Sequence, residues 1–185
     1  MISTNDVRPG QALELDDGLF SIVKYQHVKP GKGKAFVRMK LKKLATGQVI
    51  DRTFRADENV QQAIIDRSDH QYLYSDDLGY HFMNTSDYDQ LVVSADDVGD
   101  AARFLVDGMT ASLSMYQGTP IGVDMPASVE LEVTYAEPGA KGDTRTGATK
   151  TVTLETDIEI QVPLFVEQGD KVKVDTRSGE YLTRV

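Results

Sequence analysis

The 185-residue sequence contains no cysteine and no tryptophan. Without cysteine there can be no disulfide, thiolate metal site or cysteine nucleophile, and the absence fits a reducing compartment. No apolar run approaches the roughly 18–20 residues of a membrane span. Residues 1–6 lack the charged and apolar regions of a signal peptide. The reading is therefore a cytoplasmic protein with no membrane partner. Histidine is scarce, and His27, His70 and His81 lack the spacing of zinc ligands. They read as surface or satisfied strand residues, and neither metal nor cofactor is expected. There is no Gly-x-Ser-x-Gly elbow. Gly31-Lys32-Gly33-Lys34 lacks the spacing and the Ser/Thr of a Walker loop. Asp76-Asp77 and Asp96-Asp97 read as turn and helix-start residues, since neighbours on a turn rarely converge on one bond. An enzyme is not expected.

Acid is absent from one zone of an otherwise acidic chain. The whole sequence has 20 Lys and Arg against 29 Asp and Glu, a net charge of −9. Residues 24–43 nonetheless hold eight Lys or Arg and no acid. At their centre is His27-Val28-Lys29-Pro30-Gly31-Lys32-Gly33-Lys34, in which Lys32 has a glycine on each side. No neighbouring side chain can shield that lysine, and the glycines permit a tight turn or positive φ. A zone kept free of acid points to an anionic partner. Charge also shifts along the chain: residues 1–63 carry 11 basic and 7 acidic residues, 64–126 carry 2 and 11, and 127–185 carry 7 and 11. The middle third would be repelled by nucleic acid, so such contacts are expected at the ends.

Most of the chain reads as strand and turn. Residues 12–15 alternate before Asp17-Gly18, a hairpin signal. Residues 19–28 and 35–44 form a longer pair, with Phe36, Arg38, Lys40 and Lys42 on one face and Val37, Met39 and Leu41 on the other. Residues 48–55 follow as a strand, and residues 57–69 read as a polar linker with a helical turn. Further strands are expected at 71–74, 80–83 and 87–92. One helix then begins at the cap Ser94, with Asp96 and Asp97 in its first turn, inward Val98, Ala101, Ala102 and Leu105, and a stop at Gly108. Strands at 109–116 and 119–123 complete the element order of an OB-type barrel. Strands at 129–134, 151–154, 158–162, 171–175 and 181–185 suggest a second one. The expected fold is all-β, with three small barrels: 1–63, 64–126 and 127–185.

Several blocks carry a family resemblance. They are Val28-Lys29-Pro30-Gly31-Lys32-Gly33 with Ala35-Phe36 and Thr46-Gly47, Tyr72-Leu73-Tyr74 with His81-Phe82-Met83-Asn84, and Val129-Glu130-Leu131. Pro138-Gly139 with Lys141-Gly142-Asp143-Thr144, Val162-Pro163-Leu164-Phe165-Val166, and the run from Lys173 through Asp175-Thr176-Arg177-Ser178-Gly179-Glu180-Tyr181 complete the set. In this order, across essentially the whole chain, they resemble the bacterial elongation factor P family. The resemblance implies a KOW-like (SH3-like) N-terminal barrel and two OB-fold barrels in an elongated L shape that mimics a tRNA, with the acidic middle barrel imitating a tRNA's own charge. It implies a monomer that binds the 70S ribosome between the peptidyl and exit tRNA sites, contacts ribosomal RNA, and relieves stalling at consecutive prolines.

By the same resemblance Lys32 approaches the CCA end of the P-site peptidyl-tRNA and is the target of a lysine-modifying enzyme. Lys29, Pro30, Gly31, Gly33 and Lys34 form its supporting loop. Gly142, Asp143, Thr144, Tyr181 and Arg184 lie towards the small subunit and the codon. Two features depart from many family members: the charge at Lys34, and a loop over 145–151 with less glycine and no Lys-Pro. A paralogous elongation-factor-P-like protein acting on another stall, and an OB-fold binder of single-stranded RNA, are the alternatives. Against the second stand the acidic middle and last thirds and the lack of aromatics interleaved with basic residues.

Overall fold

The computed structural model describes residues 1–138 and 147–185. The described chain is built from β1 (Ile2–Ser3), β2 (Ala12–Leu15), β3 (Gly18–Val28), β4 (Phe36–Lys43), β5 (Val49–Arg55), β6 (Asn59–Ala63), β7 (Asp66–Asp76), β8 (Gly79–Asn84), β9 (Gln90–Val93), α1 (Ala95–Val98), β10 (Thr110–Tyr116), β11 (Thr119–Asp124), β12 (Ser128–Ala136), β13 (Thr149–Leu154), β14 (Glu159–Pro163), β15 (Lys171–Asp175) and β16 (Tyr181–Arg184). It is an all-β protein with three sheets. Its contacts group into two compact units, residues 1–68 with 114–122 and residues 69–113 with 123–185.

In the first unit the strand order is β1-β6-β2-β3-β4-β5. Leu13, Phe20, Ile22, Val37, Met39 and Leu41 alternate inward from β2, β3 and β4, and pack with Val7 and Val60. Thr4, fully buried, donates its Oγ1 proton to the Arg55 carbonyl at 2.9 Å and its N–H to the Glu58 carbonyl at 2.8 Å. These bonds join the chain after β1 to the end of β5, so the sheet curls round its core. The turn between β10 and β11 belongs to the same unit, where the Tyr116 hydroxyl donates to Glu14 Oε2 at 2.8 Å. That bond, aided by partial desolvation, raises the Tyr116 pKa above its ordinary value.

Two elements correct the sequence reading. Residues 57–69 are not a linker: β6 pairs with both β1 and β2, and β7 begins at Asp66. The inward residues of β6, Val60 and Ala63, are three apart, so no period of two is visible in its sequence. The expected helix is a single α-turn followed by a 3-10 turn over Gly99–Arg103. Ser94 does cap it: its Oγ accepts the Asp97 N–H at 3.2 Å and donates to Asp97 Oδ2 at 2.8 Å. Gly99 then takes φ +54, which ends the α-turn. Val98, Ala101 and Leu105 are buried as their spacing predicts, because the 3-10 turn keeps roughly the same face inward, whereas Ala102 is only half-buried.

The second sheet has the order β11-β10-β7-β8-β9 and the third β14-β13-β12-β15-β16. Numbered within each sheet, both read 3-2-1-4-5, one from each direction, so they share one five-stranded barrel topology. In the third sheet, β12 pairs with β15 over Ser128 to Glu132 and with β13 from Val133 onward. A bulge between Val133 and Tyr135 marks the change of partner. The edge strands β14 and β16 touch, closing the sheet.

Phe104, from the segment before β10, is buried within the third sheet's core, among Val129, Leu131, Val133, Val172 and Val174. The Thr176 N–H bonds the Ala127 carbonyl at 3.1 Å and its hydroxyl bonds the Pro126 carbonyl. One core therefore serves both the 3-10 segment and the third sheet. We predict that Phe104→Ala costs about 3–5 kcal/mol, as expected for an aromatic removed from a closed core. Amide hydrogen exchange should show lost protection in β12 and β15 as well as around residue 104. Unchanged exchange in β12 and β15 would show that the core is not shared.

Candidate functional site

The site grows from the β3–β4 ladder. Val37, Met39 and Leu41 are all 0% exposed, while Arg38, Lys40 and Lys42 between them are exposed. This is the two-faced strand that the alternation predicts. The ladder runs from Phe20↔Lys43 to Val28↔Phe36 with an irregularity between Ile22 and Lys24, and β5 pairs along the other edge of β4. Across the outer face Lys24 lies opposite Lys40 and Gln26 opposite Arg38. Asp51, opposite Lys40, is the one acid that β5 contributes. Arg38 lies over the Phe36 ring at 6.0 Å, at the foot of the loop.

Residues 29–35 form the loop between the strands. Its base is tied on the side of β5, where the Ala56 N–H donates to the Ala35 carbonyl at 3.1 Å. Lys29, Pro30, Gly31, Lys32, Gly33 and Lys34 are all exposed. Among the described residues, Lys29, Lys32 and Lys34 have no side-chain hydrogen bond or ion pair. The structure thus brings these six together as a single projecting loop with three cationic ends left to solvent. A flexible ammonium of this kind can meet phosphate or ribose oxygens as a point charge. The Ala56 tie, a backbone bond, had no signal in the side-chain pattern.

Of the other expected site residues, Tyr181 and Arg184 belong to the second unit. Gly142, Asp143 and Thr144 lie outside the described residues. Tyr181 is half-buried against the third sheet's core. Arg184 is exposed, stacks over Phe165 at 5.2 Å and approaches Asp170 at 3.6 Å. Between β15 and β16 the Asp175 carboxylate accepts the Arg177 N–H at 2.7 Å and the Ser178 N–H at 3.0 Å. Gly179, at φ +76, completes this turn beside the Arg103 guanidinium. The two N–H donors, Ser178 first, hold the Asp175 carboxyl below its ordinary pKa.

The histidines divide as expected of strand residues. His27 is exposed and His70 buried. His81 stacks on Tyr74 at 4.3 Å, with Nε2 at 2.9 Å from Asp76 Oδ2. This neighbour lowers the Asp76 pKa. No cluster of metal-ligating side chains occurs among the described residues, and no helix there is long and apolar enough to cross a membrane.

Comparison with known proteins now gives these features a family. Three sequence profiles match in order: the elongation factor P (EF-P) KOW-like domain over residues 3–60, the EF-P OB domain over 65–123, and the elongation factor P C-terminal domain over 129–184. The elongation factor P of Acidothermus cellulolyticus is 53% identical over 184 residues, covering 100% of this chain and 98% of that protein. That of Paenarthrobacter aurescens is 51% identical over 185 residues, covering 100% and 99%. The chain belongs to the elongation factor P family. It is a ribosome-binding translation elongation factor and not an enzyme. Two solved structures share its fold at low identity. Eukaryotic translation initiation factor 5A from Methanococcus jannaschii aligns with TM-score 0.51 and 21% identity, over 66% of this chain and 92% of that one. A translation initiation factor eif-5a family protein from Naegleria fowleri aligns with TM-score 0.53 and 12% identity, over 67% and 96%.

The sign of the Asp175 shift defines a pH response. Because its folded pKa is depressed, its contribution to the turn is present above the ordinary carboxylate value of 3.8 and is lost as pH falls through the lower folded value. We predict that NMR titration places the Asp175 midpoint below 3.8, with Arg177 and Ser178 amide protection, relative to the intrinsic exchange rate at each pH, falling as that group protonates. A midpoint at or above 3.8 would contradict the bonding described.

Proposed function

We propose that this chain acts in the cytoplasm as a monomer on the 70S ribosome, between the peptidyl and exit tRNA sites. There it stimulates peptide-bond formation at consecutive prolines by steadying the CCA end of the P-site peptidyl-tRNA. Lys32 is the residue that reaches the tRNA end, and Lys29 and Lys34 support it on RNA backbone. A lysine-modifying enzyme acting on Lys32 would lengthen its reach and add donors. Gly142, Asp143, Thr144, Tyr181 and Arg184 serve the small-subunit and codon side. The domains are 1–63, 64–126 and 127–185, a division that the three matched family segments support.

The observation that carries this reading is the exposed tip with Lys32 unpaired at its centre, carried on a ladder whose opposite face is buried core. Such an arrangement supplies position, not chemistry. No nucleophile or general base accompanies Lys32 in the loop, and Lys29 and Lys34 are cations like it. Proline has a restricted ring and reacts slowly as an acceptor, so a peptidyl-tRNA end that samples unproductive poses is costly. Restricting it to productive poses recovers orientational entropy worth several kcal/mol. The ribosome's RNA remains the catalyst.

The test is Lys32→Ala in a reconstituted translation assay with a proline-run reporter. A charge-assisted contact worth about 1.5–3 kcal/mol implies a loss of rescue rate of about 10- to 150-fold. Ribosome affinity should stay within about threefold, since phosphate contacts elsewhere supply most of the binding. Undiminished rescue by the variant would refute the assignment.

A further inference from the structure

We propose that Gly33, and not Gly31, is the positioning residue that aims Lys32. The inference rests on the function proposed for the tip and adds the element that directs it. In the sequence the two glycines flank Lys32 symmetrically. In the structure they differ. Gly33 has φ +110, a region that L-residues with a side chain rarely occupy, whereas Gly31 is not in the positive-φ region. A Cβ on Gly31 would meet nothing within 4 Å. A Cβ on Gly33 would meet only the Pro30 Cγ at 3.9 Å, an ordinary contact. Space is therefore available at both sites, and the backbone angle alone distinguishes them.

The loop's closure converts that angle into direction. Val28↔Phe36 pairing and the Ala56 N–H to Ala35 carbonyl bond hold both ends of residues 29–35. A chain segment anchored at both ends cannot change one φ without compensating rotations in its neighbours. Residues 29–34 are exposed and make no core contact that would resist such rotations. A side chain at position 33 would therefore leave the barrel folded and redirect Lys32.

The experiment compares Gly33→Asn, Gly33→Ala and Gly33→Val with Gly31→Ala and Lys32→Ala in the proline-run assay. All proteins are expressed in the native host, and rescue rates are compared at equal intact mass of the tip peptide. Rescue should fall for Asn, Ala and Val alike, because φ +110 lies beyond the left-handed region, at about φ +57, that Asn tolerates. Each of the three Gly33 variants should lose about tenfold in rate at unchanged melting temperature. Gly31→Ala should stay within about twofold. A steric role would instead spare Gly33→Ala, whose Cβ meets only an ordinary contact, and lose rate only with the bulkier Asn and Val; that outcome would overturn the proposal. Wild-type rescue by Gly33→Ala, with Lys32→Ala inactive, would overturn it while sparing the function proposed for Lys32. Full activity of Lys32→Ala would remove both.

Discussion

The antiparallel ladder that places β4 between β3 and β5 is the constraint on which the rest depends. Val37, Met39 and Leu41 are its buried face, and each such side chain contributes roughly 1.5–3 kcal/mol by leaving water. A slip of one residue would turn these three outward and bury Arg38, Lys40 and Lys42 in their place. Unpaired buried charges cost several kcal/mol each, so the register is strongly determined. The same register ends the ladder at Val28↔Phe36, and so decides where the Lys32 loop begins and ends. Core packing, the basic outer face and the tip are consequences of one pairing.

Charge acts on a longer scale. A chain of net charge −9 is repelled by RNA as a whole, yet residues 24–43 contain no acid. The outer face of β4 then presents cations on alternate residues, opposed on β5 only by Asp51. An uneven distribution of this kind favours one orientation of approach to an anionic surface over others.

The strands with a clear period of two were legible in the sequence, and β3, β4 and β15 lie within a residue or two of their expected limits. So was the cap at Ser94, a serine placed just ahead of two acids in the first helical turn. What escaped detection had physical reasons. β6 buries only Val60 and Ala63, and it is held by backbone pairing to β1 and β2 that no side-chain pattern records. The helix is shorter than its spacing suggests because Gly99, inside an otherwise helical pattern, takes a positive φ that no residue spacing encodes. The role of Phe104 in a core built from residues far along the chain is a tertiary fact with no local signature. At the tip the residues were legible from motif and charge, but the asymmetry between Gly31 and Gly33 was not, because identical residues can hold different backbone angles.

In the role proposed for Lys32, the β3–β4 ladder carries one cation to the reacting end of a tRNA without taking part in the chemistry. That role is tested most directly by photo-cross-linking from position 32, with a photoreactive lysine analogue there and ribosomes stalled at a proline run. A cross-link to the 3′-terminal nucleotides of the peptidyl-tRNA is expected, lost when the tRNA is removed. Cross-links confined to other ribosomal surfaces, with none to the tRNA end, would contradict it.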